Sequence, residues 1–336
     1  MKFPPIFEKT ELLSKAIYDL DVLKAAFELH PIAKEIVVLK RDKSILKSAL
    51  FSARIEGNPL TFEEIAMDSQ ELSEDNSKRE IFNLVALYKD IDSFTSQLPS
   101  KELIKDMHEQ ALRGVSPSGG FFRTEDSAIW NQAGVAVYIT PAPQQIFPLL
   151  DELFLWIKDS KEHPAVIAAV AHIWFEKIHP FDDGNGRVGR FLSAAILSKG
   201  GFGFGGLVPV EEYLEKFRED YYVELGRDKQ DVTSFIEFFI RGLVSQVQTS
   251  LQESEYVEIS DTLSLSPRRA ELVAIIRDHK STSFDALIRR FRSIPSRSLH
   301  NDLAQLIKAG YIRRRGTTRG ALYEPISSIT IGSKAV

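Results

Sequence analysis

Between His179 and Arg190 the chain reads HPFDDGNGRVGR, and these twelve residues hold an imidazole, two carboxylates, an amide, three glycines and two arginines. Taken singly, a histidine before a proline is usually structural, a DDGNG stretch is usually a turn, and arginines at a helix start are usually solvated. Their coincidence in so short a span points to chemistry. The preceding stretch, PAVIAAVAHIWFEKI, is an apolar helix that delivers His179 at its end, where Pro180 forbids simple continuation. After the DDGNG loop, RVGRFLSAAILSKGG returns to helical periodicity.

A helix that starts from a glycine loop exposes unpaired backbone amides and the positive end of its dipole, so Gly184, Asn185 and Gly186 form an anion cradle that a phosphate can approach closely. Arg187 and Arg190 lie three apart, on one helix face, and bring forked donors to further anionic oxygens. Asp183 is a hard oxygen ligand of the kind that holds Mg2+ on phosphates. His179 beside this cradle can take a proton from an attacking hydroxyl. Base, magnesium ligand, phosphate cradle and arginines together describe phosphoryl or nucleotidyl transfer. His172, Glu176 and His179 also share a helical face and raise metal binding, but a carboxylate-bridged di-iron site needs a second Glu-x-x-His helix, which the sequence lacks. There is no G-x-x-x-x-G-K-[ST] pattern, and GGFGFGG at 200–206 has no strand-turn-helix context, so it reads as a flexible loop.

The elements that must position these groups belong to a chain of 336 residues, 43% hydrophobic and 26% charged, a globular balance with room for two or three domains. With no cysteine, disulfides, zinc-thiolate sites and thiol nucleophiles are excluded. The N-terminal MKFPPIFEKTELL places prolines and charges where a signal peptide needs an apolar run, and no charge-free stretch approaches the roughly 18 apolar residues of a membrane span. A cytoplasmic protein without membrane partners is expected. Helical periodicity appears at 11–29, 43–57, 79–95, 101–113, 144–158 and 164–178, and Thr61 and Glu64 of TFEE are placed as a capping box. VAVYITP at 135–141 reads as a short β-ribbon inserted among helices.

The signature HPFDDGNGRVGR resembles that of the Fic (filamentation) family of protein AMP-transferases at every specified position. ALFSARIEGNPLTFEE resembles the family's N-terminal inhibitory segment through Ser52, Glu56 and Gly57, and GGFFRTEDSAIW with VAVYITPAP resembles its substrate flap. The resemblance spans roughly residues 1–245. It implies that His179 is the general base for a Tyr, Ser or Thr hydroxyl of a target protein or of the protein itself. Asp183 would hold Mg2+ on the α- and β-phosphates of ATP, while Gly184, Asn185, Gly186, Arg187 and Arg190 bind the phosphates. Val137, Tyr138 and Ile139 would align the target by strand addition. Tyr222 is a candidate adenine contact, with a core aromatic as the equal alternative. Doc-type toxins, which transfer a terminal phosphate, carry lysine at the position of Gly186, so glycine here favours AMP transfer. The stretch DVTSFIEFF, 231–239, departs from the family, where tryptophans are frequent. Glu56, if paired with Arg190, would withhold that arginine from the γ-phosphate.

The net charge of −5 hides an uneven distribution, because Pro267–Gly320 holds thirteen Lys and Arg against four Asp and Glu, a net +9 against −14 elsewhere. The polar stretch 255–267 reads as turn-prone, with a boundary near Ser260. Beyond it, three amphipathic segments and a basic glycine-bearing hairpin resemble a winged helix-turn-helix. Its recognition helix would span 296–309 with Arg297, His300, Asn301 and Lys308 outward, and Arg313, Arg314, Arg315 and Arg319 would supply phosphate contacts to DNA. Docking of a protein target or a homodimer partner is the alternative use. The expectation is therefore an all-α fold: residues 1–95 as an N-terminal helical region with the inhibitory helix, 96–250 as a helical catalytic core with a short β-hairpin flap, and 261–330 as a winged-helix domain. Two functions remain: a protein adenylyltransferase using ATP and Mg2+ and inhibited by Glu56, or a nucleotide-sensing, DNA-binding transcriptional regulator.

Overall fold

The computed structural model describes residues 4–29, 34–66, 75–130, 133–227, 230–264, 267–291, 294–308, 311–316 and 321–325. They fall into two compact units, one within residues 1–27 and 40–249, the other within 28–39 and 250–336. Helices dominate, as expected, and no helix among the described residues is long and apolar enough to cross a membrane.

The larger unit begins with α1 (Glu11–Leu29), α2 (Lys34–Ile55), α3 (Phe62–Ala66), α4 (Asn76–Lys89), α5 (Ile91–Thr95) and α6 (Lys101–Leu112). A hairpin of β1 (Ala128–Trp130) and β2 (Ala136–Ile139) follows, then α7 (Ile146–Asp159), α8 (Pro164–Ile178), α9 (Asn185–Lys199), α10 (Val210–Lys216), α11 (Arg218–Gly226) and α12 (Thr233–Ser264), although the last two residues of α1, residues 34–39 of α2 and residues 250–264 of α12 belong to the other unit. Its centre is α8, whose side chains are buried along nearly the whole length, packed on α9 and covered by α7 and α11, while α5 and α6 pack on α9. The small and β-branched residues of PAVIAAVAHIWFEKI let neighbouring helices approach from all sides, which suits an element with no solvent face. Pro164 sits at the helix start with the His163 ring as its cap, its Nδ1 accepting from the Ala165 amide at 3.2 Å. At the other end the chain turns into the left-handed region at His179, φ 49° and ψ 61°, and Pro180 follows. The proline disfavours helical geometry in the residue before it, so the helix stops where the sequence requires.

The TFEE capping box forms, with the Thr61 amide donating to Glu64 at 2.8 Å. Two expectations are corrected. The run 79–95 is two helices, because at Asp90 the backbone leaves helical geometry while its amide bonds back to Ala86 and Leu87. The stretch 255–267 is not a turn up to Ser264: α12 continues through it, and its residues, though polar, contain no glycine or proline before Pro267.

The smaller unit holds α13 (Pro267–His279), β3 (Thr282–Ser283), α14 (Phe284–Arg290), α15 (Ser296–Lys308), β4 (Ile312–Arg315) and β5 (Leu322–Pro325). The strands form an antiparallel sheet in the order β3-β5-β4, and the apolar sides of the three helices meet in a core of Leu272, Ile276, Leu287, Leu299, Leu303 and Tyr323.

Candidate active site

The site is the junction of α8, the loop 180–184 and the start of α9. The His179 ring donates from Nδ1 to the Glu176 carbonyl at 3.2 Å, which leaves the lone pair on Nε2. Burial pushes the His179 pKa down to about 4, so the imidazole is neutral at neutral pH, with Nε2 able to accept a proton. The His179 carbonyl accepts from Arg123 Nε at 2.6 Å, which anchors the strained turn from below.

Phe181 turns inward and stacks between His108, at 3.7 Å between ring centroids, and Phe122, at 5.1 Å. Asn185 brackets the same residue, its Oδ1 accepting from the Phe181 amide at 2.9 Å and its Nδ2 donating to the Phe181 carbonyl at 2.8 Å. The Asn185 side chain thus braces the loop, leaving only its backbone for a ligand. His108 takes its Nδ1 hydrogen bond from the Gly120 amide and donates from Nε2 to the Asp183 carbonyl at 2.8 Å, and burial lowers its pKa to about 4. Gly184 is required here: φ is +80°, and a Cβ would stand 3.1 Å from the His108 ring.

No side chain caps the start of α9. Arg187 spans two carboxylates at 2.5 Å each, Glu80 from α4 and Asp183 from the loop, and its Nε is buried with no partner. Burial opposes the charge of Arg187, but Glu80 and Asp183 outweigh it and raise the pKa. The Asp183 side chain, 58% exposed at the loop tip, uses Oδ1 for Arg187 and the Gly184 amide. Its second oxygen faces no hydrogen-bond donor among the described residues.

Arg190 lies beneath, fully buried. Ser52 takes its Nε at 2.9 Å through the hydroxyl and its Nη2 at 2.9 Å through the carbonyl, and Glu56 takes Nη2 at 2.7 Å. Nη1 is buried without a partner. Burial opposes this charge as well, and Glu56 reverses the effect, so the pKa is raised. The Glu56 side chain, 30% exposed, lies against Gly186, where a Cβ would overlap Glu56 Oε1 and stand 2.8 Å from Arg190 Nη1. A lysine at position 186 is thus incompatible with Glu56 in this place. Gly57 ends the segment at φ +101°, open to solvent.

Tyr222 is half-buried, its hydroxyl 3.4 Å from the Ile55 carbonyl at the end of the helix that leads to Glu56, and burial raises its pKa. The fully buried neighbour is Tyr221, whose hydroxyl meets His172 Nε2 at 2.8 Å, while His172 Nδ1 faces Ser193 at 3.1 Å. Phe235 of the divergent stretch stacks over the same histidine at 5.7 Å. Burial, aided by the nearby Arg190 charge, lowers the His172 pKa to about 3. Glu176 is buried with Oε1 unpartnered, and burial raises its pKa to about 8. Among the described residues no three His, Cys, Asp or Glu side chains converge as metal ligands.

The flap pairs antiparallel, Ala128 with Ile139 and Ile129 with Tyr138, and a bulge follows. Val137 and Tyr138 are half-buried, whereas Ile139 is 80% exposed. Three further residues of the site, Glu80, His108 and Arg123, and Lys177, which lies outside it against α11 and the flap, carry no local sequence signal. Each acts through partners far along the chain, and none stands in a spacing that marks it.

In the smaller unit, Arg297, Asn301 and Lys308 are exposed on α15, and Asp302 faces inward to Arg268 and Arg269. His300 is exposed but rests on the Phe284 ring at 3.8 Å. Arg313 and Arg315 flank Glu324 at 2.9 and 3.4 Å, and Arg314 is exposed. Arg319 lies outside the described residues.

Residues 98–197, which hold this loop, match the Fic/DOC family. The chain is 27% identical over 240 residues to a Protein adenylyltransferase Fic of Drosophila willistoni, covering 67% of this chain and 45% of that one. To the protein of the same name in Drosophila melanogaster it is 30% identical over 203 residues, 56% of this chain and 38% of the other. It therefore spans less than half the length of these curated relatives. Among solved structures, a Fic family protein from Desulfovibrio desulfuricans G20 superimposes with a TM-score of 0.67 at 22% identity, covering 96% of this chain and 98% of that one. Fic-1 of C. elegans gives 0.59 at 21%, covering 74% and 73%. The fold is shared with both.

Proposed function

We propose, on the premise that residues 98–197 are a Fic/DOC domain, that this protein is an adenylyltransferase that moves AMP from ATP to a hydroxyl of a protein. The observation that carries the reading is the neutral His179, with its Nε2 lone pair beside the bare start of α9 and two buried arginines that each keep an unpartnered N–H. The amides at 185–187 receive phosphate oxygens, and Arg187 and Arg190 receive the outer ones. The hydroxyl proton passes to His179 Nε2 as its oxygen bonds to the α-phosphorus. The bond to the β-bridging oxygen breaks, and pyrophosphate leaves.

Magnesium fits the residues present: Asp183 offers one free, hard carboxylate oxygen at the loop tip, and a protein cage is not needed for an ion held chiefly by phosphates. Bound there, the ion would neutralise charge on the phosphates. Glu56 is the brake. Its carboxylate occupies the arginine and the space over Gly186 that a γ-phosphate would use, so ATP binds without productive alignment until Glu56 withdraws.

The exposed Arg297, Asn301 and Lys308, on a helix beside a three-stranded sheet, support a winged-helix reading of the smaller unit with nucleic acid as its partner. The deciding experiment incubates the Glu56→Gly variant with magnesium and ATP labelled on the α- or the γ-phosphate, with His179→Ala as control. Protein-bound α-label that vanishes in the control is the expected result. Protein-bound γ-label would mean a kinase, and no label from either would favour a nucleotide-sensing regulator.

A further inference from the structure

A two-stranded ribbon is marginal by itself, so the position of the flap must come from what tethers it. The root is closed by Thr140, whose amide and hydroxyl both donate to the Ser127 carbonyl at 3.2 and 2.7 Å. Arg123, buried at the same place, donates to the Glu125 carbonyl at 2.7 Å and the Pro141 carbonyl at 2.6 Å, on either side of the ribbon. The same guanidinium also bonds the Ile178 and His179 carbonyls at 3.3 and 2.6 Å. The root of the flap and the turn that carries the base therefore share one cation.

The body of the flap has a second tether. Lys177 is only 2% exposed, two residues before His179 on α8. Its ammonium donates to the Arg227 carbonyl at 2.7 Å and to the Leu225 carbonyl at 3.4 Å, at the C-terminal end of α11, where the helix dipole favours a cation. It also stands 4.2 Å from the centroid of the Tyr138 ring. Beside it Gly226 meets Val137 so closely that a Cβ would come within 3.1 Å. One ammonium thus joins the helix of the base, the end of α11 and the middle of β2.

We propose that Lys177 is a positioning residue that sets the distance of the flap from His179, and with it the reach of an incoming hydroxyl to the base. The inference rests on reading the flap as the edge that aligns the target. Attack needs reacting atoms within about 3–3.5 Å, and a misplacement of about 1 Å can cost on the order of a hundredfold. Water needs no alignment by the flap. Loss of Lys177 should therefore depress transfer to protein hydroxyls while ATP is still cleaved by water.

The test places Lys177→Met, which keeps the stem and removes the charge, in the Glu56→Gly background, and follows α-labelled ATP into protein-bound and free AMP. The expected result is a ratio of bound to free label at least about tenfold lower, with total ATP consumption within about twofold. Because the chain has no cysteine, Lys177→Cys can be aminoethylated at that site alone under denaturing conditions and refolded, and this should restore the ratio. An unchanged ratio, or a parallel fall of both products with the melting temperature and no rescue, overturns the proposal. If Glu56→Gly consumes no ATP, it is the adenylyltransferase reading that fails. Amide hydrogen exchange then decides the clamp: faster exchange at 135–140 in Lys177→Met with α8 unchanged supports it, and identical exchange overturns it.

Discussion

The loop 179–190 and the basic face of the smaller unit are both rich in cations, yet they hold them in opposite ways. Arg187 and Arg190 are buried, anchored by Glu80, Asp183, Ser52 and Glu56, and each keeps one nitrogen with no partner. Arg297 and Lys308 stand in solvent, and Arg313 and Arg315 share the carboxylate of Glu324. A buried cation is aimed and can act on one atom of a ligand, whereas an exposed one supplies a field that salt screens. On the function proposed above, the contrast would separate a site for chemistry from a surface for association.

The sharpest break of this contrast is His179→Ala. It should lower α-label incorporation in the Glu56→Gly background by about 100- to 10,000-fold, the usual weight of a general base. Next in size is Glu56→Gly itself. Removing a charge-assisted bond worth about 1.5–3 kcal/mol should raise automodification by about ten- to a hundredfold, measured as initial rates. An unchanged rate would contradict the brake.

The pH dependence sharpens the same point. Since burial holds His179 near pKa 4, the acid limb of the transfer rate should lie close to pH 4, and a limb near 6.5 would mean a solvated base. His108, His172 and His179 are all lowered below their unfolded value near 6.5, so the unfolded chain takes up protons first as pH falls. Their stabilisation is held above about pH 6.5 and lost progressively toward pH 4, which a series of melting curves will show as a falling Tm. Glu176, raised from 4.5 to about 8, acts in the opposite sense, its contribution being whole below about pH 4.5 and lost as pH rises from there through 8.

The smallest expected effect belongs to the other region. Glu324→Gln should free Arg313 and Arg315 and tighten binding of duplex DNA only a few-fold, with a steeper loss of affinity on added salt. No retardation at low salt would leave protein docking as the role of that face.

Much of the loop 179–190 was legible because its signals are local. A histidine before proline, a glycine-rich loop and two arginines three apart mark where a helix ends, where another begins and which face carries charge. The helix start after Thr61 and the flap strand followed from capping and periodicity in the same way, whereas the helix expected over 43–57 begins at Lys34. The continuation of α12 through the polar residues before Pro267 was missed because polarity was read as a break where no backbone breaker stands. Glu80, His108, Arg123 and Lys177 were invisible for another reason: an acidic residue or a lone histidine on an amphipathic helix looks alike whether it faces solvent or a buried arginine. Asn185 was read as lining the cradle, but its side chain is spent on Phe181, a contact within the loop that residue type does not reveal.

The sequence by itself determined the chemistry available at one point of the chain, since backbone constraints at Pro180 and Gly184 and the helical spacing of Arg187 and Arg190 act over a few residues. Only the tertiary structure decided which of those groups are charged, neutral or blocked. Glu56 reaches Arg190 across 134 residues of chain, and His179 is neutral because distant helices exclude water from it. Desolvation and pairing are properties of what packs together, and that is set by the fold as a whole.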